Sequence, residues 1–148
     1  MKVTYYKQET DYSCFPACIR MLLDYHDIKK EEKKLRLLFH STPLKGGSWP
    51  RVKDGLKQLN IEFEWGINFS LEELKSLIQH NIPVVASIDI SFFGGDEHQN
   101  HTVVVTDVSN EFVTVHDPER GENIEIDVKQ FSESWSERGR IAGYIKSK

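Results

Sequence analysis

Cys14 lies where a polar turn meets a helical pattern, and His101 and Asp117 lie on strand-like segments far downstream. A thiol reacts as its thiolate, which the start of a helix stabilises because the unpaired N–H groups there carry a partial positive charge. Pro16 suits a first helical turn, so we expect the Cys14 side chain outside the packed stripe of that helix. These residue types predict a nucleophilic thiol served by a histidine base.

Both cysteines have an alternative interpretation. Cys14 could be a small buried hydrophobe, as many free cysteines are. Cys18 lies one turn later, in phase with Met21 and Leu22, so we expect its thiol in the core and unreactive. A redox pair of Cys14 with Cys18 stays open, although the usual redox spacing is C-x-x-C and this one is C-x-x-x-C. Two cysteines make no disulfide framework, which fits a reducing cytoplasm.

His101 begins a strand pattern directly after a polar, glycine-bearing loop, a position from which a side chain can face a cleft. Histidine is the commonest catalytic base because its pKa lies near working pH. His98 and His116 are rivals, but His98 lies inside the loop without a strand to hold it. Asp117 closes the next strand, one hairpin away, and could orient the imidazole; its alternative role is to start an Asp-Pro turn with Pro118.

Gln8 could join the backbone N–H of Cys14 as a donor to the oxyanion that forms when a carbonyl is attacked, and a solvated surface glutamine is the alternative. A metal site is the rival use of the loop before His101. The sequence has no H-x-x-x-H or C-x-x-C pair, and one loop would supply nearly all the ligands, so we expect no metal or other cofactor. That loop's candidates are Asp96, Glu97, His98 and His101.

Composition limits the classes of partner. The 148 residues are 39% hydrophobic, enough for one core, so residues 1–148 are expected to form a single domain. The net charge is −4, and two acids interrupt the only basic run, residues 29–34, which disfavours nucleic acid and anionic membranes as partners. No stretch approaches the roughly 18 apolar residues of a membrane span, and the N-terminus has no signal-peptide core. We therefore expect a cytoplasmic chain with no membrane span.

The elements that must position these residues fall into two halves. Apolar residues at helical spacing predict helices after Cys14, around Leu35 to Phe39, after Ser48 and after Ser70, where Ser70 and Glu73 form a capping box. Strand patterns dominate the second half, with one earlier strand at Ile61–Ile67. The later strands are expected at Val84–Ile90, His101–Val108, Phe112–His116, Asn123–Asp127 and Ile141–Ile145. This order predicts an α+β fold, with helices first and a mostly antiparallel sheet second.

The segment from Gln8 to Tyr25 resembles the opening of the C39 peptidases and C39-like proteins, a branch of the papain-like cysteine peptidases. Its features are a glutamine, a short polar spacer and a start similar to Cys-Gly-Pro-Ala-Cys on a long helix. Nearly the whole chain follows the family's order of segments. The later matching segments are Gly46-Gly47-Ser48, the Ser70 helix with Ile82-Pro83-Val84-Val85, His101-Thr102-Val103-Val104-Val105 and Val115-His116-Asp117-Pro118.

The resemblance implies a papain-like fold in which Cys14 attacks a peptide carbonyl and His101 is the base and acid. It also implies that Asp117 orients His101 and that Gln8 helps to stabilise the oxyanion. The best-known members cut leader peptides after a double glycine as part of an export transporter, whereas this chain is expected to act as a stand-alone domain. Phe15 replaces the family's usual glycine, which changes the space beside the thiol.

The expected activity is therefore a cysteine peptidase or amide hydrolase that acts on a peptide or protein substrate. Three alternatives remain open from the sequence. A degenerate domain could bind peptides without cutting them, and an amine could intercept the thioester in an acyl or peptidyl transferase. A thiol redox protein would need a reversible disulfide between Cys14 and Cys18.

Overall fold

Five α-helices surround one sheet in the computed structural model, which describes residues 1–94 and 100–147. Two of the predicted helix starts are confirmed in detail. The Ser48 hydroxyl accepts from the Arg51 N–H, and Ser70 and Glu73 form the complete capping box. The helices are α1 Cys14–Tyr25, α2 Glu32–Leu38, α3 Trp49–Gln58, α4 Leu71–Gln79 and α5 Val128–Ser136, and a short 3-10 helix spans Ile90–Phe93.

The sheet contains six strands in the order β1-β6-β2-β3-β4-β5, and every neighbouring pair is antiparallel. The predicted α+β class is thereby confirmed. β6 comes last in the chain yet pairs between β1 and β2, so the order of strands in this part of the sheet differs from their order in the sequence. The strands are β1 Glu62–Gly66, β2 Val84–Asp89, β3 Asn100–Val108, β4 Phe112–Asp117, β5 Gly121–Asp127 and β6 Ala142–Ser147.

Helices cover both faces of the sheet. Along β2 and β3, neighbouring valines point to opposite faces, so Val85 and Val104 join one core cluster while Val84 and Val103 join the other. The first cluster packs α1, α2 and α3 against the sheet, and the second packs α4 and α5. α1 therefore lies over β3, which brings the start of the helix close to the start of that strand.

The sequence analysis missed α5. Its nine residues are mostly polar, and only Phe131 and Trp135, one turn apart, are large and buried. The available signal was Asp127, whose side chain caps the helix by accepting from the N–H groups of Lys129 and Gln130.

Across residues 1–94 and 100–147, the longest helix has 12 residues, and none is long and apolar enough to cross a membrane.

Candidate active site

Cys14 is the first residue of α1, and no described side chain caps the N-terminus of that helix. Ser13 occupies the cap position, but its hydroxyl accepts from the Thr10 N–H at 3.0 Å and makes no cap hydrogen bond to α1. Pro16 has no N–H group to offer. The N–H of Cys14 thus has no side-chain acceptor in the described part of the chain, as an oxyanion donor requires.

His101 and Asp117 form a buried, charged hydrogen bond. His101 Nε2 lies 2.6 Å from Asp117 Oδ1, and each side chain is 6% exposed. Asp117 Oδ1 also accepts from the N–H groups of Glu119 at 2.9 Å and Arg120 at 3.2 Å. One carboxylate therefore makes both of the contacts considered from the sequence: it accepts from the backbone of the turn, and it contacts the histidine.

Cys14 lies on the other side of the imidazole. Because Asp117 occupies Nε2 of His101, Nδ1 is the nitrogen left for the hydrogen bond with the thiol. Burial raises the pKa of Cys14, but the hydrogen bond and charge of His101, with contacts from Thr102, bring it below the ordinary thiol value. A lowered thiol pKa is what nucleophilic cysteines need at neutral pH.

The carboxylate accounts for much of the charge on the imidazole. Burial lowers the pKa of His101, but the hydrogen bonds and charges of Asp117 and Cys14 raise it to about 9. Burial likewise raises the pKa of Asp117, and the hydrogen bond and charge of His101 outweigh it, so that pKa is lowered. The arrangement therefore favours a thiolate, an imidazolium and a carboxylate in a row near neutral pH.

Gln8 is placed by the backbone beside Asp117, and its side chain is turned inward. The Gln8 N–H donates to the Pro118 carbonyl at 2.8 Å, and Nε2 donates to the Thr10 carbonyl at 2.7 Å. Oε1 is buried with no hydrogen-bond partner among the described residues. One hydrogen on Nε2 is not needed for the Thr10 bond, so the amide keeps a donor.

Tyr5 supports the same strand end. Its hydroxyl donates to the Asp117 carbonyl at 2.7 Å, and its ring packs edge-on against His116. The N-terminal segment is fixed on its other side, where the Glu9 N–H donates to the buried carboxylate of Glu32 at 3.0 Å. The segment of residues 5–10 thus ties the end of β4 to the helical face. The sequence analysis missed Tyr5 because nothing in the neighbouring sequence distinguishes it from a tyrosine that faces solvent.

Cys18 is fully buried, which confirms the prediction that its thiol faces the core. Burial raises the pKa of Cys18 well above the ordinary thiol value, and the charge of Cys14 raises it further. The Thr102 hydroxyl lowers the pKa of both thiols, although it makes no hydrogen bond of good geometry among the described residues. Thr102 was missed from the sequence; its position beside His101 at the start of β3 was the only signal.

The residues considered as alternatives to His101, or as metal ligands, do not join this site among the described residues. His116 Nε2 donates to the Val3 carbonyl at 2.7 Å, and Nδ1 accepts from the Asn123 N–H at 3.1 Å, so both ring nitrogens are in use. His98, Asp96 and Glu97 lie outside the described residues. Within the described ranges, no group of three or more histidine, cysteine, aspartate or glutamate side chains could hold a metal ion.

A cavity of about 670 Å³ opens beside Cys14. Its back wall contains Phe15, which is 4% exposed and packs edge-on against Trp49 with ring centroids 4.5 Å apart. The Phe15 ring is therefore part of the wall and is held away from free solvent. Phe92 and Phe93, just before the loop that leads to His101, do not line this cavity, and Phe93 packs against the second core cluster instead.

Gly46 and Gly47 also line the cavity, at positions where no side chain would fit. A Cβ atom on Gly46 would lie 2.5 Å from the Tyr12 carbonyl oxygen, and one on Gly47 would lie 2.9 Å from the Phe15 Cβ. The two glycines thus let the loop approach the residues around Cys14 closely. A cavity of this size, lined by rings and exposed backbone, suits an extended ligand such as a peptide.

The chain belongs to the Peptidase_C39 like family, which matches residues 1–143. None of the curated protein sequences compared with the chain matches it.

Solved structures share the fold at low sequence identity. A protein described as a C39-like peptidase from Bacillus anthracis is 18% identical, with a TM-score of 0.81 over 99% of this chain and 96% of that chain. A double glycine motif protease from an AMS/PCAT transporter, in complex with its leader peptide, is 19% identical, with a TM-score of 0.79 over 99% and 93%. The peptidase domain of Streptococcus ComA, a bi-functional ABC transporter of a quorum sensing pathway, is 16% identical, with a TM-score of 0.81 over 99% and 100%.

Proposed function

We propose that the protein is a cysteine peptidase that hydrolyses amide bonds in a peptide substrate. The observation that carries this proposal is the buried chain of contacts from Cys14 through His101 to Asp117, at the open start of a helix and beside a cavity. A family neighbour solved with a leader peptide supports a peptide as the ligand. Both cysteines are free, and the thiol chemistry suits a reducing compartment such as the cytoplasm.

The reaction begins when the Cys14 thiolate attacks the carbonyl carbon of the substrate. The oxygen gains the negative charge, and the N–H of Cys14 and the amide of Gln8 donate hydrogen bonds to it. His101 then gives its proton to the leaving nitrogen, and the C–N bond breaks to leave a thioester on Cys14.

The second half-reaction consumes one water molecule. Neutral His101 takes a proton from the water, whose oxygen attacks the thioester carbon. The C–S bond breaks, and the products are a carboxylic acid, the Cys14 thiolate and imidazolium. Asp117 holds the ring in one orientation throughout and stabilises its positive charge.

The first experiment measures alkylation of Cys14 by iodoacetamide from pH 4 to 10, with the labelled site identified by mass spectrometry. We expect Cys14 to react well below the ordinary thiol pKa of about 8.5, and to lose that low-pH reactivity in His101→Ala. Cys18 is an internal control that stays unlabelled, and His80→Ala, at the exposed C-cap of α4, is the matched variant. An ordinary pH profile for Cys14 would refute the activated thiol.

A second experiment separates hydrolysis from the other possible activities. The protein and its Cys14→Ala variant are incubated with a proteome-derived peptide library in water enriched in oxygen-18, and products are sequenced by mass spectrometry. Cleavage that needs Cys14 and places one heavy oxygen in each new carboxylate supports a peptidase. New amide bonds without heavy oxygen would indicate a transferase, and unaltered peptides together with an ordinary pH profile for Cys14 would favour a peptide-binding domain.

A further inference from the structure

Two cations line the cavity beside Cys14 and have no carboxylate partner in the part of the chain that the structure describes. Lys45 and Arg51 both line it, and neither lies within 4.0 Å of a carboxylate in residues 1–94 and 100–147. The Arg51 guanidinium has one long hydrogen bond, 3.5 Å from Nη1 to the His40 carbonyl, and four further N–H groups. The cavity wall thus offers donors for an anion.

Four of the six arginines reach a carboxylate, Arg140 donates from Nε to the Phe69 carbonyl at 2.8 Å, and Arg51 has neither kind of short contact among the described residues. Arg20, Arg36, Arg120 and Arg138 each reach a carboxylate at 3.2 to 3.9 Å, as most arginines near acidic residues do. Arg51 instead lines the cavity beside Cys14, where its one hydrogen bond is the long one to the His40 carbonyl. The protein has a net charge of −4, so acidic partners are plentiful elsewhere on its surface.

The position of Arg51 in α3 is also unfavourable for a positive charge. It lies in the first turn, which contains no acidic residue, although the positive end of a helix favours acids and disfavours cations there. Residues that break a local rule of this kind commonly serve function. Lys45, on the loop that precedes α3, adds a second positive charge to the same wall.

The remaining lining has mixed character. Leu44 is 96% exposed at the rim, and Phe15 and Trp49 supply ring surface at the back. Asp11, which is exposed, is the one acidic side chain among the described residues that line the cavity. Two cations against one carboxylate give this described lining a positive balance, next to apolar surface that can hold a neighbouring side chain.

We propose that this cavity selects peptides that carry an acidic side chain near the cleaved bond, with Lys45 and Arg51 binding its carboxylate. This inference rests on the proposed peptidase function and names its substrate class. A guanidinium binds a carboxylate through two parallel N–H groups, which gives geometric selectivity, while an ammonium adds a point charge.

The first test needs no peptide substrate. Rates of Cys14 alkylation are compared for iodoacetate, which is an anion, and iodoacetamide, which is neutral and of similar size. We expect the ratio of the two rates to fall severalfold in Lys45→Gln with Arg51→Gln, most strongly at low salt. Lys53→Gln is the matched control, because Lys53 is an exposed cation of α3 that does not line the cavity.

The second test uses glycyl chloromethyl ketone peptides that place glutamate or glutamine at each position in turn. At one position we expect glutamate to inactivate the wild type about tenfold faster than glutamine, and the double variant to lose that preference. Asp11→Asn should keep or increase the preference, and Arg51→Glu should reverse it toward lysine.

The outcomes separate this inference from the proposed function. If Cys14 reacts at low pH but neither charge preference changes in the double variant, the acidic substrate class is refuted and the activated thiol stands. If Cys14 shows no low-pH reactivity in any variant, the peptidase proposal itself fails. Protection of Cys14 by a peptide with a free C-terminus, but not by its amide, would overturn the assignment of the carboxylate to a side chain.

Discussion

Replacing Asp117 by asparagine tests whether the carboxylate controls the charge on His101. The carboxylate oxygen Oδ1 lies 2.6 Å from His101 Nε2, and the same oxygen accepts from the N–H groups of Glu119 and Arg120. Asparagine keeps a carbonyl oxygen for those two backbone bonds and removes the negative charge. The substitution therefore changes the electrostatics and leaves the turn after β4 with its acceptor.

The size of the effect follows from the charge that the hydrogen bond to His101 loses. A hydrogen bond to a charged group contributes about 1.5–3 kcal/mol, and 1.36 kcal/mol corresponds to one pKa unit. The pKa of His101 is raised to about 9, with Asp117 as a main cause. We expect the asparagine variant to titrate His101 roughly one to two pH units lower, at about 7 to 8. The pKa of Cys14 should rise, because the imidazolium that lowers it is less populated.

Two measurements give the titration midpoints of His101 and Cys14. NMR of carbon-13-labelled histidine gives the His101 midpoint directly, and the pH dependence of iodoacetamide labelling gives that of Cys14. Asp107→Asn is the matched control, since Asp107 is an exposed carboxylate on the same strand as His101. A His101 midpoint that stays near 9 in Asp117→Asn would show that Asp117 does not set the charge of the ring, and the proposed role of this residue would fail.

Two further predictions concern the cavity walls. Phe15→Ala should lower the free energy of unfolding in urea by about 3–5 kcal/mol, because it removes a buried ring from the core. Phe112→Ala, at a residue 38% exposed, should cost much less, and equal losses would contradict the packing argument. Gly46→Ala should slow inactivation by peptide chloromethyl ketones more than labelling by iodoacetamide, because the new Cβ would lie 2.5 Å from a backbone oxygen. In the control Gly66→Ala the nearest atom is 3.5 Å away, and we expect no such difference.

Local patterns in the sequence predicted most of the helices and strands, because the caps and side-chain periodicity of these elements depend on residues close together in sequence. The capping box at Ser70 and Glu73 uses residues three apart, and the strands alternate between two core faces as their composition indicates. The place of β6 between β1 and β2 was not predictable in this way, since strand order is decided by pairing between distant segments. α5 was missed because tertiary burial of Phe131 and Trp135 stabilises a helix with little apolar content of its own.

The candidate site was predicted unevenly for the same reason. Cys14, His101 and Asp117 stood out through their residue types and their places at element ends, and the structure brings these three together. The different fates of His101 and His116 depend on which backbone groups surround each ring, which no local pattern records. The Tyr5 bond to the Asp117 carbonyl spans 112 residues of sequence and left no signal.

The hydrogen bonds between the N-terminal segment and the end of β4 also bear on when, during folding, Cys14 becomes reactive. Tyr5 meets Asp117 across 112 residues and Val3 meets His116 across 113, so these contacts close only after most of the chain is available. Contacts of such long range form slowly, because loop closure costs entropy before the contacts repay it. A growing chain that has made α1 but not β3 and β4 carries Cys14 as an ordinary thiol. Because His101 lies on β3 and Asp117 on β4, Cys14 meets the groups that lower its pKa only after both strands have formed.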